Sequence, residues 1–279
     1  MKKILITGAN SYIGTSLEKW LLKHSDNYKI NTVDTIGGGW RKKSFSDYDV
    51  VFHVAGITHV RETRKNAGDF YRVNRDLAHD IAQKAKIDGV GQFIFLSSMS
   101  VYGMNCGIID KNTHLNPKNN YAKSKLEAEK LIELLNSDTF KIAILRPPMV
   151  YGKGCKGNYP RLVKLAVNLP CFPDIYNQRS MIYIDNLCEF IRLLIDLNGS
   201  GLFFPQNREY VCTSEMVRLV SKMHGKNIRL TKLFNPLLRL FNTNTVDKAF
   251  GSLVYRKSLS LFEEYQIVST LESIKKTES

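Results

Sequence analysis

Hydrophobic positions in the first half of the chain fall in short, nearly unbroken runs. They are KKILITGA at 2–9, KINTVDT at 29–35, VVFHVAG at 50–56, QFIFLSS at 92–98 and KIAILRP at 141–147. Apolar on successive rather than alternate positions and rich in β-branched residues, they predict parallel strands buried on both faces. Segments of helical character lie between them, at about 13–24, 70–88 and 120–136. Strand alternating with helix predicts an α/β fold, a doubly wound parallel sheet with right-handed crossovers. Beyond residue 151 the rhythm changes. NYPRLVKLAVNLP (158–170) and NLCEFIRLLIDLN (186–198) predict amphipathic helices around a short strand in SMIYID (180–185), with another helix at 213–224. The basic, apolar stretch RLTKLFNPLLRLF (229–241) reads as a buried helix face rather than a membrane contact. The expected division is a first domain at 1–152 and a smaller C-terminal α/β lobe at 153–279, with interleaved elements allowed.

Composition narrows the function classes. No run of about 18 apolar residues occurs, so membrane insertion is not expected. The opening apolar stretch is also too short for a secretion signal. Cys106, Cys155, Cys171, Cys188 and Cys212 form no C-x-x-C pair, which suits a reduced, cytoplasmic protein. The formal charge of +14 divides into seven excess cations in residues 1–150 and seven in 151–279. Without a basic cluster, nucleic acid is not the expected partner. A diffuse positive field does attract small phosphorylated substrates. His24, His53, His59, His79, His114 and His224 show no metal-ligand spacing, and no G-x-S-x-G turn is present. His53 reads as a packed strand histidine rather than a base.

Two constellations carry chemistry. Gly8 and Gly14 bracket the turn after the first strand: Gly8 permits a sharp reversal, and Gly14 a close helix approach. With Asn10, Ser11, Tyr12 and Ile13 between them, they present a helix N-terminus to a pyrophosphate. Ser11 stands where a third glycine is usual, and its hydroxyl suits a phosphate oxygen. Asp34 closes the second strand, 20 residues past Gly14, where a carboxylate accepts from an adenosine ribose and repels a 2′-phosphate. Arg41, Lys42 and Lys43 lie just beyond, so NAD(H) is favoured and NADP(H) stays open. Tyr121 and Lys125 are four apart on a strongly helical stretch, which sets phenol and ammonium on one face. The cation is expected to lower the phenol pKa and make it an acid/base near neutrality.

Taken in order, TGANSYIG, VDT, HVAG, YRVN, FLSSMSVYG, YAKSK, LRPPMVYG and RSMIYIDNL resemble the extended short-chain dehydrogenase/reductase superfamily. The likeness is to its nucleotide-sugar branch, the NAD-dependent epimerase/dehydratase family. It spans about residues 3 to 190 and implies a Rossmann domain followed by a substrate lobe. By resemblance, Ser98 hydrogen-bonds the reacting oxygen, Tyr121 exchanges its proton and Lys125 holds the nicotinamide ribose. Asn74 orders the site, and Val54, Ala55, Gly56 and Pro148 lie against the cofactor. Met99 and Ser100 face the substrate, while Asn158 and Arg179 hold a nucleotide sugar in the lobe. The 4,6-dehydratases of this branch carry Asp-Glu directly after the catalytic hydroxyl, where this chain has Met99 and Ser100; that argues against dehydration. The resemblance implies hydride transfer at C4 of the sugar. The favoured reading is reduction of a UDP-4-keto-6-deoxy-N-acetylhexosamine for bacterial surface polysaccharide. The alternatives are a UDP-hexose or UDP-N-acetylhexosamine 4-epimerase with retained NAD, and a non-catalytic NAD(P)-sensing protein. Retention of Ser98, Tyr121 and Lys125 favours an enzyme. By analogy alone, helices 70–88 and 120–136 would pair in a homodimer.

Overall fold

Each of the five apolar runs becomes a strand of one parallel sheet: β1 (Lys2–Thr7), β2 (Tyr28–Val33), β3 (Val50–His53), β4 (Gln92–Leu96) and the strand Lys141–Leu145. A sixth strand, Gly201–Phe203, was not foreseen and pairs beside Lys141–Leu145. From one edge the order is β2, β1, β3, β4, Lys141–Leu145, Gly201–Phe203. The central β3 and β4 are buried at every position, as their unbroken apolar runs require. The edge strand β2 exposes Lys29, Asn31 and Thr32, and polar edges of this kind discourage pairing with another chain. From β1 the chain steps to β2 on one side and then to β3 on the other. The carboxyl ends of β1 and β3 therefore flank the crevice in which such sheets bind ligands.

This computed structural model describes residues 1–233, 235–240 and 244–279. Contacts divide the chain into two units. The first comprises Met1–Gly103, Leu115–Pro147 and Leu187–Pro205, and the second Met104–His114, Pro148–Asn186 and Gln206–Ser279.

In the first unit, α1 (Tyr12–Leu22) lays the buried Leu17 and Leu21, a turn apart, against the sheet. The segment expected as one helix at 70–88 is three pieces: α2 (Ala67–Tyr71), a π-helical turn Arg72–Asp76 and α3 (Leu77–Ile87). Small residues on α3, Ala78, Ala82 and Ala85, let it lie close to Leu5, Val51, Phe93, Phe95 and Ile144. The same core takes Ala128 and Ile132 from α4 (Asn120–Glu133). Truncating a ring in such a core to alanine costs about 3–5 kcal/mol. The π-turn has a local consequence: its extra residue turns Asn74 inward, and its side chain is fully buried.

The second unit is built on three parallel two-stranded ladders, each joining segments far apart in sequence. Met149–Tyr151 pairs with Met181–Tyr183, Gly107–Ile109 with Leu253–Tyr255, and Cys171–Pro173 with Arg229–Thr231. The helices Asn158–Asn168 and Thr270–Glu278 both pack on the helix Thr213–Met223. Tyrosines fill this core, and their hydroxyls are partnered, as burial demands. Tyr151 Oη meets Ser273 Oγ at 2.5 Å, and Tyr159 Oη donates to Glu278 Oε1 at 2.7 Å. Phe234, residues 241–243 and several neighbouring side chains lie outside the described residues, and with them the expected buried face of 229–241. Among the described residues no helix is long and apolar enough to cross a membrane.

Candidate active site

β1 ends at Thr7, and the chain reverses through Gly8 and Asn10, both at positive φ (87° and 65°). Asparagine tolerates that region. At Gly8 space matters as well, because a Cβ there would lie 2.8 Å from both N and Cα of Ala55. At Gly14 a Cβ would lie 3.1 Å from Val54 Cγ1, so α1 closes on the end of β3. Ser11 acts locally, its Oγ accepting from Gly14 N at 3.2 Å and so capping α1. The cap uses a lone pair and leaves the O–H as a donor. Tyr12 and Ile13 open the helix, at its positive end.

Asp34 follows β2, exposed, with Oδ1 accepting from Ile36 N at 2.9 Å. Of the three cations beyond it, Arg41 pairs with Asp80 at 3.1 Å and lies over the Trp40 ring. Lys43 lies over Tyr48. After β3, a Cβ at Gly56 would meet Asn74 Oδ1 at 2.9 Å and Lys125 Nζ at 3.5 Å. The backbone at Gly8, Gly14 and Gly56 thus leaves no room for side chains at the sheet's carboxyl edge, and it adjoins a helix N-terminus. These residues fit a dinucleotide.

The titratable groups gather at the same edge. Tyr121 is the second residue of α4, and Asn119 Oδ1 caps the helix by accepting from Ala122 N at 2.8 Å. The side chains of Ser98 and Thr58 lie near enough to the Tyr121 phenol to favour its charged form. Ser98 is held in turn: its Oγ accepts from Ser100 N at 3.1 Å and Ser100 Oγ at 2.8 Å. The short helical turn Met99–Tyr102 that it caps is tied back by Met99 N donating to Pro147 O at 2.9 Å. One turn along α4, Lys125 is buried; its Nζ donates to Leu96 O at 2.9 Å and lies 4.6 Å from the centre of the Phe95 ring. Asn74 Nδ2 donates to Ser124 Oγ at 3.3 Å, joining the π-turn to α4.

Electrostatics here departs from the sequence expectation. Burial raises the Tyr121 phenol above its ordinary value, and the neighbouring Ser98 and Thr58 side chains recover only part of the shift. The lowering expected from Lys125 is not found; desolvation of the phenolate dominates. Lys125 itself is pushed down to about 8 by burial, against the attraction of Glu129. Two turns beyond Tyr121, Glu129 is buried in an ion pair with Arg146 at 2.5 Å, and Arg146 also donates to Tyr102 Oη. Ser97 Oγ donates to the same carboxylate, so the residue before Ser98 is anchored to α4. Nothing in the spacing of these residues announced that network.

His53, at the end of β3, is fully buried between Phe93 and Phe95, with Nδ1 2.8 Å from Thr7 Oγ1. Burial, and then the charge of Lys125, push it down to about 3. The folded state therefore keeps His53 neutral while the unfolded chain takes up a proton below about 6.5. Stability is expected to fall as pH drops through 6.5 toward 3, by up to about 4 kcal/mol. Urea unfolding of His53→Leu between pH 7 and 4 tests this: its pH slope should be shallower than that of the wild type, and an equal slope would refute the assignment.

Pro148, Asn158 and Arg179 belong to the second unit. Pro148 is buried, and Asn158 is exposed at the first turn of its helix. Arg179 Nη1 donates to Gly251 O at 3.0 Å and Asn105 O at 3.3 Å. Burial lowers its pKa.

A phenol, two hydroxyls and an ammonium beside a dinucleotide cradle can exchange a proton with an alcohol or ketone while hydride moves. Comparisons with known proteins identify the family. Residues 4–202 match the family described as "NAD dependent epimerase/dehydratase family". A UDP-glucose 4-epimerase of Vibrio cholerae is 32% identical over 244 residues, covering 78% of this chain and 74% of the relative. In structure, the chain resembles UDP-glucuronic acid 4-epimerase from Bacillus cereus, with a TM-score of 0.76 and 21% identity over 99% of this chain and 97% of that one. It equally resembles a dTDP-4-dehydrorhamnose reductase from Clostridium acetobutylicum, with a TM-score of 0.76 and 20% identity over 99% and 98%. The chain is an enzyme and belongs to the NAD-dependent epimerase/dehydratase family.

Proposed function

We propose that the protein reduces C4 of a UDP-4-keto-6-deoxy-N-acetylhexosamine in bacterial surface-polysaccharide synthesis. The observation that carries C4 oxidoreduction is the Tyr121 phenol beside Ser98, one turn along α4 from the buried Lys125. Held at the Gly8–Gly14 turn, a nicotinamide dinucleotide would supply the hydride. Ser98 Oγ donates to the sugar's C4 oxygen and orients it; Tyr121 Oη then gives that oxygen its proton. Lys125 holds the nicotinamide ribose and keeps positive charge near the phenolate that forms. Gly8, Asn10, Ser11, Tyr12, Ile13, Gly14, Val54, Ala55, Gly56 and Pro148 bind the dinucleotide, and Asn74 holds the loop beside it. Asp34 favours NAD(H) by accepting from the adenosine ribose, and the engagement of Arg41 and Lys43 elsewhere supports that choice. Arg179 and Asn158 are assigned to the nucleotide sugar, Arg179 because a guanidinium fork suits a diphosphate. Reduction rather than dehydration follows from Met99 and Ser100 standing where elimination would need an acid and a base.

The relation to the Vibrio cholerae epimerase favours a second reading, in which NAD is retained and hydride returns to the opposite face of the sugar. One assay separates the two. Purified protein is given UDP-4-keto-6-deoxy-N-acetylhexosamine with NADH or NADPH, and absorbance at the nicotinamide band is followed. Consumption of reduced cofactor is expected. No consumption, with interconversion of UDP-N-acetylhexosamine epimers and no added cofactor, would establish the epimerase instead.

A further inference from the structure

We propose that Glu129 is a positioning residue for the reaction: its buried carboxylate locks the turn that bears Ser98 to the helix that bears Tyr121 and Lys125. The hold begins before Ser98. Lys125 Nζ donates to Leu96 O at 2.9 Å, and Ser97 Oγ donates to Glu129 Oε1. Side chains one turn apart on α4 therefore grip the two residues that lead into Ser98. A second arm reaches the far end of the Met99–Tyr102 turn. Arg146 straddles the same carboxylate, with Nε 3.0 Å from Oε1 and Nη2 2.5 Å from Oε2, and its Nη1 donates to Tyr102 Oη at 2.9 Å. The sheet side is fixed as well: Ser97 N donates to Leu145 O at 2.7 Å, and Arg146 N to Phe203 O at 2.9 Å. Ser98 thus sits between two anchors, and both end on Glu129.

Stability alone does not account for this carboxylate. An apolar cluster of equal volume serves a core as well as a buried ion pair does, and often better. What it cannot supply is a fixed distance between segments. Here the hydrogen bonds of one side chain set the end of β4, the Met99–Tyr102 turn and the end of Lys141–Leu145 against α4. Glu129, Arg146 and Ser97 are 3%, 6% and 4% exposed, so water does not compete for those bonds. The hydrogen bonds of Ser98 with Ser100 lie inside the turn and do not tie it to α4.

The same carboxylate is the counter-charge of Lys125. Glu129 lies one turn beyond it on α4, and its attraction opposes the burial that pushes the ammonium down to about 8. The other titratable groups around that ammonium are Tyr121 on α4 and His53 on β3, both kept neutral by burial, and Arg146, which shares Glu129. Two buried cations thus depend on one carboxylate. The positioning role rests on the C4 oxidoreduction assigned to Ser98, Tyr121 and Lys125; the coupling of Glu129 to Lys125 does not.

The test uses Glu129→Gln, which keeps the shape and drops the charge, and Ser97→Ala, which removes one anchor and leaves the charge in place. In ligand-free protein labelled with 13C at lysine Cε, the Lys125 resonance, identified by its loss in Lys125→Met, is titrated with pH. Glu129→Gln should lower that titration by about one pH unit, whereas Ser97→Ala should titrate as wild type. In the reduction assay Ser97→Ala should lower kcat about tenfold, with KM for sugar and reduced cofactor within about twofold of wild type, because orientation is lost and binding is not. A purely structural role would lower the melting temperature and leave the Lys125 titration and the kcat of the folded variants unchanged. An unmoved Lys125 titration in folded Glu129→Gln, or a wild-type kcat in Ser97→Ala, overturns the proposal; where Glu129→Gln does not fold, Ser97→Ala decides it. A wild-type protein that interconverts epimers and reduces no keto sugar overturns the reductase reading instead, and kcat is then read on that interconversion.

Discussion

Tyr121→Phe is expected to lower kcat for the C4 reaction by about 1,000-fold while the protein stays folded and still binds its dinucleotide. The substitution removes a single oxygen from a half-buried ring. Ser98, beside it, keeps its hydrogen bond with Ser100, so the fold loses little. Chemistry loses the group that gives the sugar oxygen its proton. The pH profile of the wild type carries the same information. The phenol must be protonated to act as an acid, and Lys125, pushed down to about 8, must be charged to support it. Reduction should therefore fall on the alkaline side, and a rate indifferent to pH between 7 and 10 would contradict both assignments. The mechanism would be wrong if Tyr121→Phe turned over any candidate sugar at the wild-type rate.

Gly8→Val should abolish dinucleotide binding and destabilise the first unit, whereas Ser11→Gly should preserve both. Two costs coincide at Gly8. A β-branched residue is strained at φ 87°, by about 1–3 kcal/mol. Its Cβ would also lie 2.8 Å from Ala55 N and Cα, backbone atoms that cannot swing aside as a side-chain tip would. Relief requires the end of β1 to move away from the end of β3, which opens the cradle. At Ser11 the helix cap to Gly14 N is lost, but glycine is itself an acceptable cap and costs only a few tenths of a kcal/mol. Isothermal titration with NAD+ and thermal unfolding of the two variants check this. Normal NAD+ affinity in Gly8→Val would show that the dinucleotide turn lies elsewhere.

The motifs were legible because they are short and their chemistry is local. Gly8 and Gly14, Asp34 after β2, and Tyr121 with Lys125 on α4 are pairs whose spacing along a strand end or helix already places them. Elements that depend on partners distant in sequence were not. The strand Gly201–Phe203 is only three residues long and is a strand because Lys141–Leu145 lies beside it. The ladders of the second unit are the same case, each strand three residues long and paired with one more than 30 positions away. Asn74 stood out in YRVN, yet its full burial depends on a π-turn that helical periodicity does not reveal. Glu62 was missed because its relevance comes from touching the start of α4, where its carboxylate accepts from Asn120 N and Nδ2, 58 residues away.

The sequence by itself determined the layered fold, the glycine turn after β1 and the pairing of Tyr121 with Lys125 on one helix. Each of these follows from periodicity of 2 or 3.6, or from residue types a few positions apart. Only the tertiary structure decided the state of those groups. Spacing predicted that Lys125 would lower the Tyr121 phenol, but packing buried Lys125 and half-buried Tyr121, and desolvation raised the phenol and lowered the ammonium. The sign of such a shift depends on how much water folding removes, and that is a property of the surrounding packing rather than of the interval between two residues.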